Sequence, residues 1–297
     1  VGLLVLILST FYVPAGLLSS WLLRDNQSNW LSLCFFASCL TLTEWLLTWV
    51  FTGFPWLFIG HSVLDTPFSH FLPVFGALGT GFTIALLSGL IYLFLKFRIR
   101  SYLLVALIPC CLALALIPVS WVRETSEHSV ALVQANIDQN KKWLMSERAN
   151  NFNRHLDLSK KHWDSELIVW PEAAITLFGA EADRAMKLLD ETAGKTDTNL
   201  VSGVPTVNFF QGGISESKNS LVALGRGVGT YSKVHLVPFG EYVPLEQLLR
   251  GLITFFDLPM STMTPGDAIQ PNLELVMGGT TIQAAAAICY EIAYGDS

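Results

Sequence analysis

The chain of 297 residues is 52% hydrophobic and only 14% charged, with a net charge of −6 and a mean hydropathy of +0.47. A water-soluble domain carries roughly 25% charged residues, so the composition excludes a single soluble globule. The apolar excess lies before Arg123: residues 1–122 hold 4 Lys and Arg and 3 Asp and Glu, and the rest hold 14 and 21. The acidic second part carries no basic stripe, which argues against nucleic acid as a partner.

Four apolar spans are expected in the first part, at residues 1–23, 30–59, 68–95 and 102–122, each reaching the roughly 20 residues that cross a bilayer. The links after the first and third spans hold Arg24, Lys96, Arg98 and Arg100, whereas the second link has no Lys or Arg. By the positive-inside rule the cationic links face the cytoplasm, and everything after Arg123 is expected on the outer face, the periplasm of a bacterium. Glu44 falls inside the second span, where an acid marks either function or a packed partner. The run Gly53-Phe54-Pro55-Trp56 should break that span and leave Trp56 at headgroup level. Gly76, Gly79 and Gly81 read as close helix contacts.

The second part, residues 123–297, alternates strands with amphipathic helices, which predicts an α/β layered domain. Strands are predicted at 130–136, 167–170, 200–207, 219–225, 230–237 and 281–288, and helices at 146–163 and 180–193. The glycines at 225, 227 and 229 open no helix and predict a hairpin turn, not a phosphate loop. Residues 245–260 are strongly apolar and pair Phe255 with Phe256 ahead of Pro259. They are read as an arm reaching the lipid interface. A chain running from Val1 to Ser297 is expected to be a fragment cut at both ends.

Of five cysteines, only Cys289 lies in the second part, so neither a disulfide framework nor a zinc spacing is present there. No metal and no cofactor is expected. Cys289 follows the run Ala284-Ala285-Ala286-Ala287-Ile288, read as a buried strand that delivers a thiol to its tip. A thiol nucleophile needs a base, and the oxyanion it creates needs fixed positive charge. Glu172, in Trp170-Pro171-Glu172, is the candidate base, and Lys233 the candidate oxyanion stabiliser. Glu241, eight residues beyond Lys233, can orient the lysine by a salt bridge. His235, two residues from Lys233, competes as a base for Cys289. His155 and His162 lack metal-ligand company and read as solvated.

These stretches together resemble the bacterial apolipoprotein N-acyltransferases of the nitrilase, or carbon–nitrogen hydrolase, superfamily. The residues that carry the resemblance are Thr52-Gly53-Phe54-Pro55-Trp56, Val133-Gln134-Ala135-Asn136-Ile137, Ile168-Val169-Trp170-Pro171-Glu172, the segment from His235-Leu236-Val237-Pro238-Phe239 through Gly240-Glu241-Tyr242-Val243-Pro244, and Ile288-Cys289-Tyr290-Glu291. The resemblance implies an αββα sandwich, here incomplete at its C-terminus, on the periplasmic face of a helical bundle in the bacterial inner membrane. It implies Glu172 as base, Lys233 as oxyanion stabiliser and Cys289 as nucleophile, with Glu241 supporting Lys233. Tyr290 and Glu291 would shape the pocket, and Trp143 would stand near its entry. The implied reaction moves an acyl chain from a phospholipid, chiefly phosphatidylethanolamine, through a thioester to the N-terminal amine of a diacylglyceryl-cysteine apolipoprotein. Two positions depart from the family: Leu47 stands where an arginine often follows Glu44, and His61 where an aromatic follows Gly60. Two other readings stay open, a membrane-tethered amidase or nitrilase and a non-catalytic scaffold that binds lipoprotein.

Overall fold

In a computed structural model, residues 2–22, 30–50, 53–210, 213–238, 240–242 and 263–294 are described. The predicted apolar arm at 245–260 lies outside them. The chain divides into two compact units, Val1–Glu124 and Thr125–Ser297.

The first unit is helical. Helices α1 (Gly2–Thr10) and α2 (Tyr12–Leu22) are separated at Phe11; Pro14 lies four residues after Thr10, where its ring opposes helix continuation. They are followed by α3 (Trp30–Leu46), α4 (Leu72–Phe97) and α5 (Arg100–Leu116). Helix α3 packs on α2 and α4, and α4 packs on α5. Among the described residues, only Pro67–Phe97 is long and apolar enough to cross a membrane by itself. The apolar helices Val5–Trp21, Trp30–Leu46 and Arg100–Leu116 are shorter, so one of the four expected spans has full length among the described residues. The α-helix of the expected second span runs to Leu46 instead of 59, and Gly53 at φ 86° and Pro55 keep residues 53–56 from resuming it.

Two sequence expectations in this unit resolve into specific contacts. Gly76 adopts φ 65° and breaks α4 into two pieces; it provides a kink, not a close contact. The 21 residues from 77 to 97 remain continuous, about 31 Å at 1.5 Å per residue. Glu44 is buried and accepts a 2.7 Å hydrogen bond from the amide of Ile59, the first residue of a 3-10 turn at Ile59–Val63. The carboxylate therefore caps a helical N-terminus, where a negative charge is favourable, and needs no arginine at position 47. Gly81 makes room for it: a Cβ there would stand 3.2 Å from Glu44 Oε2 and 3.2 Å from the Gly60 nitrogen.

Among its described residues the second unit holds seven strands: β1 (Val130–Leu132), β2 (Leu167–Val169), β3 (Asn199–Phe210), β4 (Gly213–Gly225), β5 (Thr230–Ser232), β6 (Leu273–Met277) and β7 (Thr280–Ala284). Its helices are α6 (Gln139–Lys142), α7 (Arg148–Ser159) and α8 (Ala180–Lys195). Strands β1 to β5 lie in sequence order in one sheet, parallel from β1 to β3 and antiparallel from β3 to β5. Strands β6 and β7 form a separate antiparallel pair. The turn at 225–229 joins β4 to β5 as the predicted hairpin.

The alternation of side chains along β3 builds the layers. Leu200 and Val204 face a core shared with Phe152 of α7 and Ala185 and Leu189 of α8. Val201 faces the other way, into a core with Leu273, Leu275 and Met277 of β6. The described residues thus form a helix–sheet–sheet stack, three layers of the expected four.

Two polar side chains fasten the sheets. Asn199 is fully buried, and its Nδ2 donates to the carbonyls of Glu166 and Val276 at 2.7 and 2.8 Å. Its Oδ1 accepts from the amide of Val276 at 2.9 Å. The side-chain amide thereby pairs with β6 as a neighbouring strand would. The carboxylate of Glu166 accepts from the amides of Gly278 and Ser129 at 2.5 and 3.1 Å and contacts His128 at 3.1 Å. These contacts hold the Glu166 carboxyl below its ordinary range, the Gly278 amide foremost, then Ser129 and His128.

Asn199→Ala removes three buried hydrogen bonds and should destabilise the chain by about 2–3 kcal/mol, read as a drop in the thermal unfolding temperature in detergent. A lowered native carboxyl contributes stability above its unfolded value and loses it as pH falls through the folded one. Glu166→Gln should therefore flatten the acid side of the stability-versus-pH curve while costing stability at neutral pH.

Candidate active site

The site residues sit where strands end or leave off pairing. Strand β2 ends at Val169, and Trp170 then packs its buried indole into the helix-side core, donating Nε1–H to Ser159 at 2.8 Å. This anchors the turn that presents Glu172. The next residue, Ala173, has φ 47°. The turn lies so close to β3 that a Cβ on Gly203 would stand 2.6 Å from the Pro171 carbonyl oxygen and 2.7 Å from the Glu172 Cα, and would also collide with the Ala173 nitrogen. Gly203 is thus required by the approach of the Glu172 turn.

Lys233 follows β5 directly, its amide bonded to the carbonyl of Asn219 at 2.8 Å. The predicted strand at 230–237 is therefore shorter, ending as a regular element at Ser232. The Lys233 side chain is fully buried, and its ammonium lies 2.9 Å from Glu241 Oε2, 3.0 Å from Glu241 Oε1 and 3.7 Å from Glu172 Oε1. Glu241 is held in turn by the Val237 amide at 2.8 Å. The ring of Tyr290 lies 5.4 Å below the ammonium, a favourable cation–π geometry.

Cys289 corrects the expectation of a strand tip. Strand β7 ends at Ala284, and Cys289 instead opens a single 3-10 turn, Cys289–Ala293, with φ 59°. A side chain in this left-handed region is strained by about 1–2 kcal/mol; the residue as a whole is exposed, while its sulfur is partly desolvated by the surrounding site. The turn is held from below by Glu291, which is fully buried. Its carboxylate accepts from the amides of Val234, His235 and Ile288 at 2.7, 2.9 and 2.8 Å and from the Tyr231 hydroxyl at 3.1 Å. One carboxylate thus ties the thiol turn to the segment carrying Lys233.

The thiol's ionisation is raised above its ordinary value, chiefly by burial and then by the negative charge of Glu172, with Glu241 adding to it. Lys233 and the Tyr290 amide oppose this rise. Glu172, Lys233, Glu241 and Cys289 therefore share one electrostatic neighbourhood. His235, the competing base, instead stacks flat on Tyr294, with centroids 3.9 Å apart. Tyr290 is buried and donates its hydroxyl to the Leu236 carbonyl at 2.8 Å.

Trp143 is half-buried and, among the described residues, makes no hydrogen bond or ring contact to this cluster. Its neighbour Lys142 reaches it instead, donating Nζ–H to the Glu172 carbonyl at 2.8 Å. Trp56 belongs to the first unit and is 53% exposed, its ring 6.2 Å from that of Phe54. Thr52, Phe239, Val243 and Pro244 lie outside the described residues. His155, expected on the surface, is buried: it donates Nδ1–H to the Asn151 carbonyl at 2.8 Å and packs 5.2 Å from Trp170. It fills the space behind the Glu172 turn. No cluster of metal-ligating residues occurs among the described residues.

Lys142 and Asn219 are contacts that sequence reasoning did not find. Asn219 donates Nδ2–H to Glu172 at 2.6 Å and to Glu241 at 3.0 Å. The one available signal was register, since it lies opposite Lys233 once β4 and β5 are paired.

Chemically, this arrangement brings a lysine ammonium and two carboxylates together in the electrostatic neighbourhood of a thiol. That is the equipment for attack on an acyl carbon. Residues 129–297 match the carbon–nitrogen hydrolase family, to which this chain belongs. Residues 1–90 match the apolipoprotein N-acyltransferase N-terminal domain. Over 99% of its length the chain is 36% identical to an apolipoprotein N-acyltransferase of Shewanella oneidensis, covering 58% of that protein. It is 36% identical over 98% of its length to that of Coxiella burnetii, covering 60%, and 38% identical over 96% to that of Pseudomonas aeruginosa, covering 56%. The chain therefore spans somewhat over half the length of these relatives.

Lys233→Ala leaves the buried Glu241 and the half-buried Glu172 without their cation and should cost about 3–5 kcal/mol, read by thermal unfolding in detergent. Gly203→Ala should cost about 1–3 kcal/mol through the forced displacement of the Glu172 turn. In that variant, the pH dependence of Cys289 alkylation should shift as well, because Glu172 moves relative to the thiol.

Proposed function

We propose that the chain is the greater part of an enzyme that N-acylates apolipoproteins at the outer face of the bacterial inner membrane. The observation that carries this reading is the buried Lys233 ammonium held between Glu172 and Glu241 beside an exposed thiol, in a chain whose first 90 residues match the apolipoprotein N-acyltransferase N-terminal domain. In the first half-reaction, Glu172 takes the proton of Cys289 and the sulfur attacks the ester carbonyl of a phospholipid of the phosphatidylethanolamine type. Lys233 stabilises the oxyanion. The ester C–O bond breaks, Glu172 returns the proton to the departing alcohol, and a lysophospholipid leaves. In the second, the N-terminal amine of a diacylglyceryl-cysteine apolipoprotein attacks the thioester carbonyl. The C–S bond breaks as the amide C–N bond forms, and a proton returns to the thiol.

The first unit would be the anchor. Its outward surface carries Leu6, Leu17, Trp21, Leu31, Leu104 and Ile108, all more than half exposed. Contiguous apolar surface of this kind marks contact with lipid or protein. Four crossings, with residues 123–297 as the periplasmic catalytic domain, are consistent with the cationic links after the first and third expected spans, at Arg24 and at Lys96, Arg98 and Arg100. Trp143 is proposed to stand near the entry to the thiol pocket, Tyr290 and Glu291 to shape that pocket, and Trp56 to sit at headgroup level and contact lipid substrate.

The match of residues 129–297 to carbon–nitrogen hydrolases favours a second reading, a tethered amidase or nitrilase with water as the second nucleophile. Incubation of the complete gene product with a radiolabelled acyl phospholipid separates the two. The acyltransferase reading expects a label on Cys289 that persists in water and is discharged by a lipopeptide amine. Release by water alone indicates the hydrolase. Absence of label, with lipoprotein acylation undiminished in Cys289→Ala cells, indicates a scaffold.

A further inference from the structure

Asn219 is 1% exposed, lies in β4 directly across from Lys233, and reaches the two acids that flank the lysine. Cross-strand partners share one face of a sheet, so its side chain stands beside the ammonium. Its Nδ2 carries two hydrogens. One goes to Glu172 Oε1 at 2.6 Å, the other to Glu241 Oε1 at 3.0 Å. Both acceptors are carboxylate oxygens, so the amide has only one workable orientation: turned over, its carbonyl would face two anions. Its Oδ1 has no donor among the described residues although it is buried, a cost of about 1–3 kcal/mol that a residue serving only packing would not retain.

We infer that Asn219 is a positioning residue that holds Glu172 and Glu241 apart and in register on either side of Lys233, leaving the second oxygen of Glu172 to serve the thiol. The inference rests on the reading that Glu172 acts on Cys289. Two carboxylates sharing one ammonium repel each other, and the cheapest relief is for one to keep a proton. A neutral donor to both relieves the repulsion without adding charge. A lysine could not do this, since it would compete with Lys233, and a hydroxyl has a hydrogen for only one acid. The charged groups facing Glu172 are Lys233, Lys142 and Cys289, with Glu241 across the lysine.

The test is alkylation of Cys289 by iodoacetamide as a function of pH, on the complete chain in detergent, with the modified peptide quantified by mass spectrometry. This readout needs no lipid substrate. Asn219→Asp is isosteric and sets a third carboxylate against Glu172, so a proton stays in the cluster to higher pH. The acid limb of the profile should move up by about one pH unit, a roughly tenfold loss of rate at fixed pH on the limb. Asn219→Ala should move it in the same direction by less, and Asn219→Ser, which retains one donor, by least. Thermal unfolding establishes that each variant is folded. Glu172→Gln separates the two claims. If it leaves the limb unmoved, Glu172 is not coupled to the thiol and the functional reading fails with the inference. If it moves the limb while folded Asn219→Asp and Asn219→Ser coincide with the parent, the functional reading stands and the role given to Asn219 is overturned.

Discussion

A lysine with no exposed surface is the constraint around which the second unit is arranged. Removing an ammonium from water costs several kcal/mol even after the protein relaxes, and only close acids with their own hydrogen bonds offset this. The structure supplies both: Glu241, seated on the Val237 amide, and Glu172, on a turn anchored by Trp170. Each acid comes from a different part of the chain. The cation is therefore satisfied only when β2, β4 and β5 and the loop after β5 are all in place, which makes the site a product of the whole sheet.

The thiol obeys a different logic. It is exposed, strained at its backbone, and set in a field where burial and Glu172 favour the protonated form and Lys233 opposes them. Such a group rests as a thiol and becomes reactive when a neighbouring carboxylate takes its proton.

Much of this was legible in the sequence. The layered second part, the 225–229 hairpin and the pairing of Lys233 with Glu241 and Glu172 all follow from residue type and order. What was not legible depended on register and backbone conformation. The strand read into 281–288 ends at Ala284, because no apolar alternation distinguishes the alanine run from an extended loop. Strand β6 went unseen although Asn199 binds its main chain at Val276, since contacts of that kind leave no local pattern. His155 looked solvated by its neighbours in sequence but lies behind Trp170. Asn219 carries no motif and becomes visible only when β4 is laid against β5. Glu44 lacked a cation in the sequence because its partner is a main-chain amide.

Glu291 has a consequence for how this protein can change over time. Three of the four groups it binds are main-chain amides, at 234, 235 and 288. The joint between the Cys289 turn and the Lys233 segment therefore makes no demand of its own on those three side chains, although Ile288 is buried and His235 stacks on Tyr294. Position 291 has no such freedom. Aspartate is one methylene too short to span the same amides, so even the mildest acidic replacement would unlatch the two halves of the reaction centre.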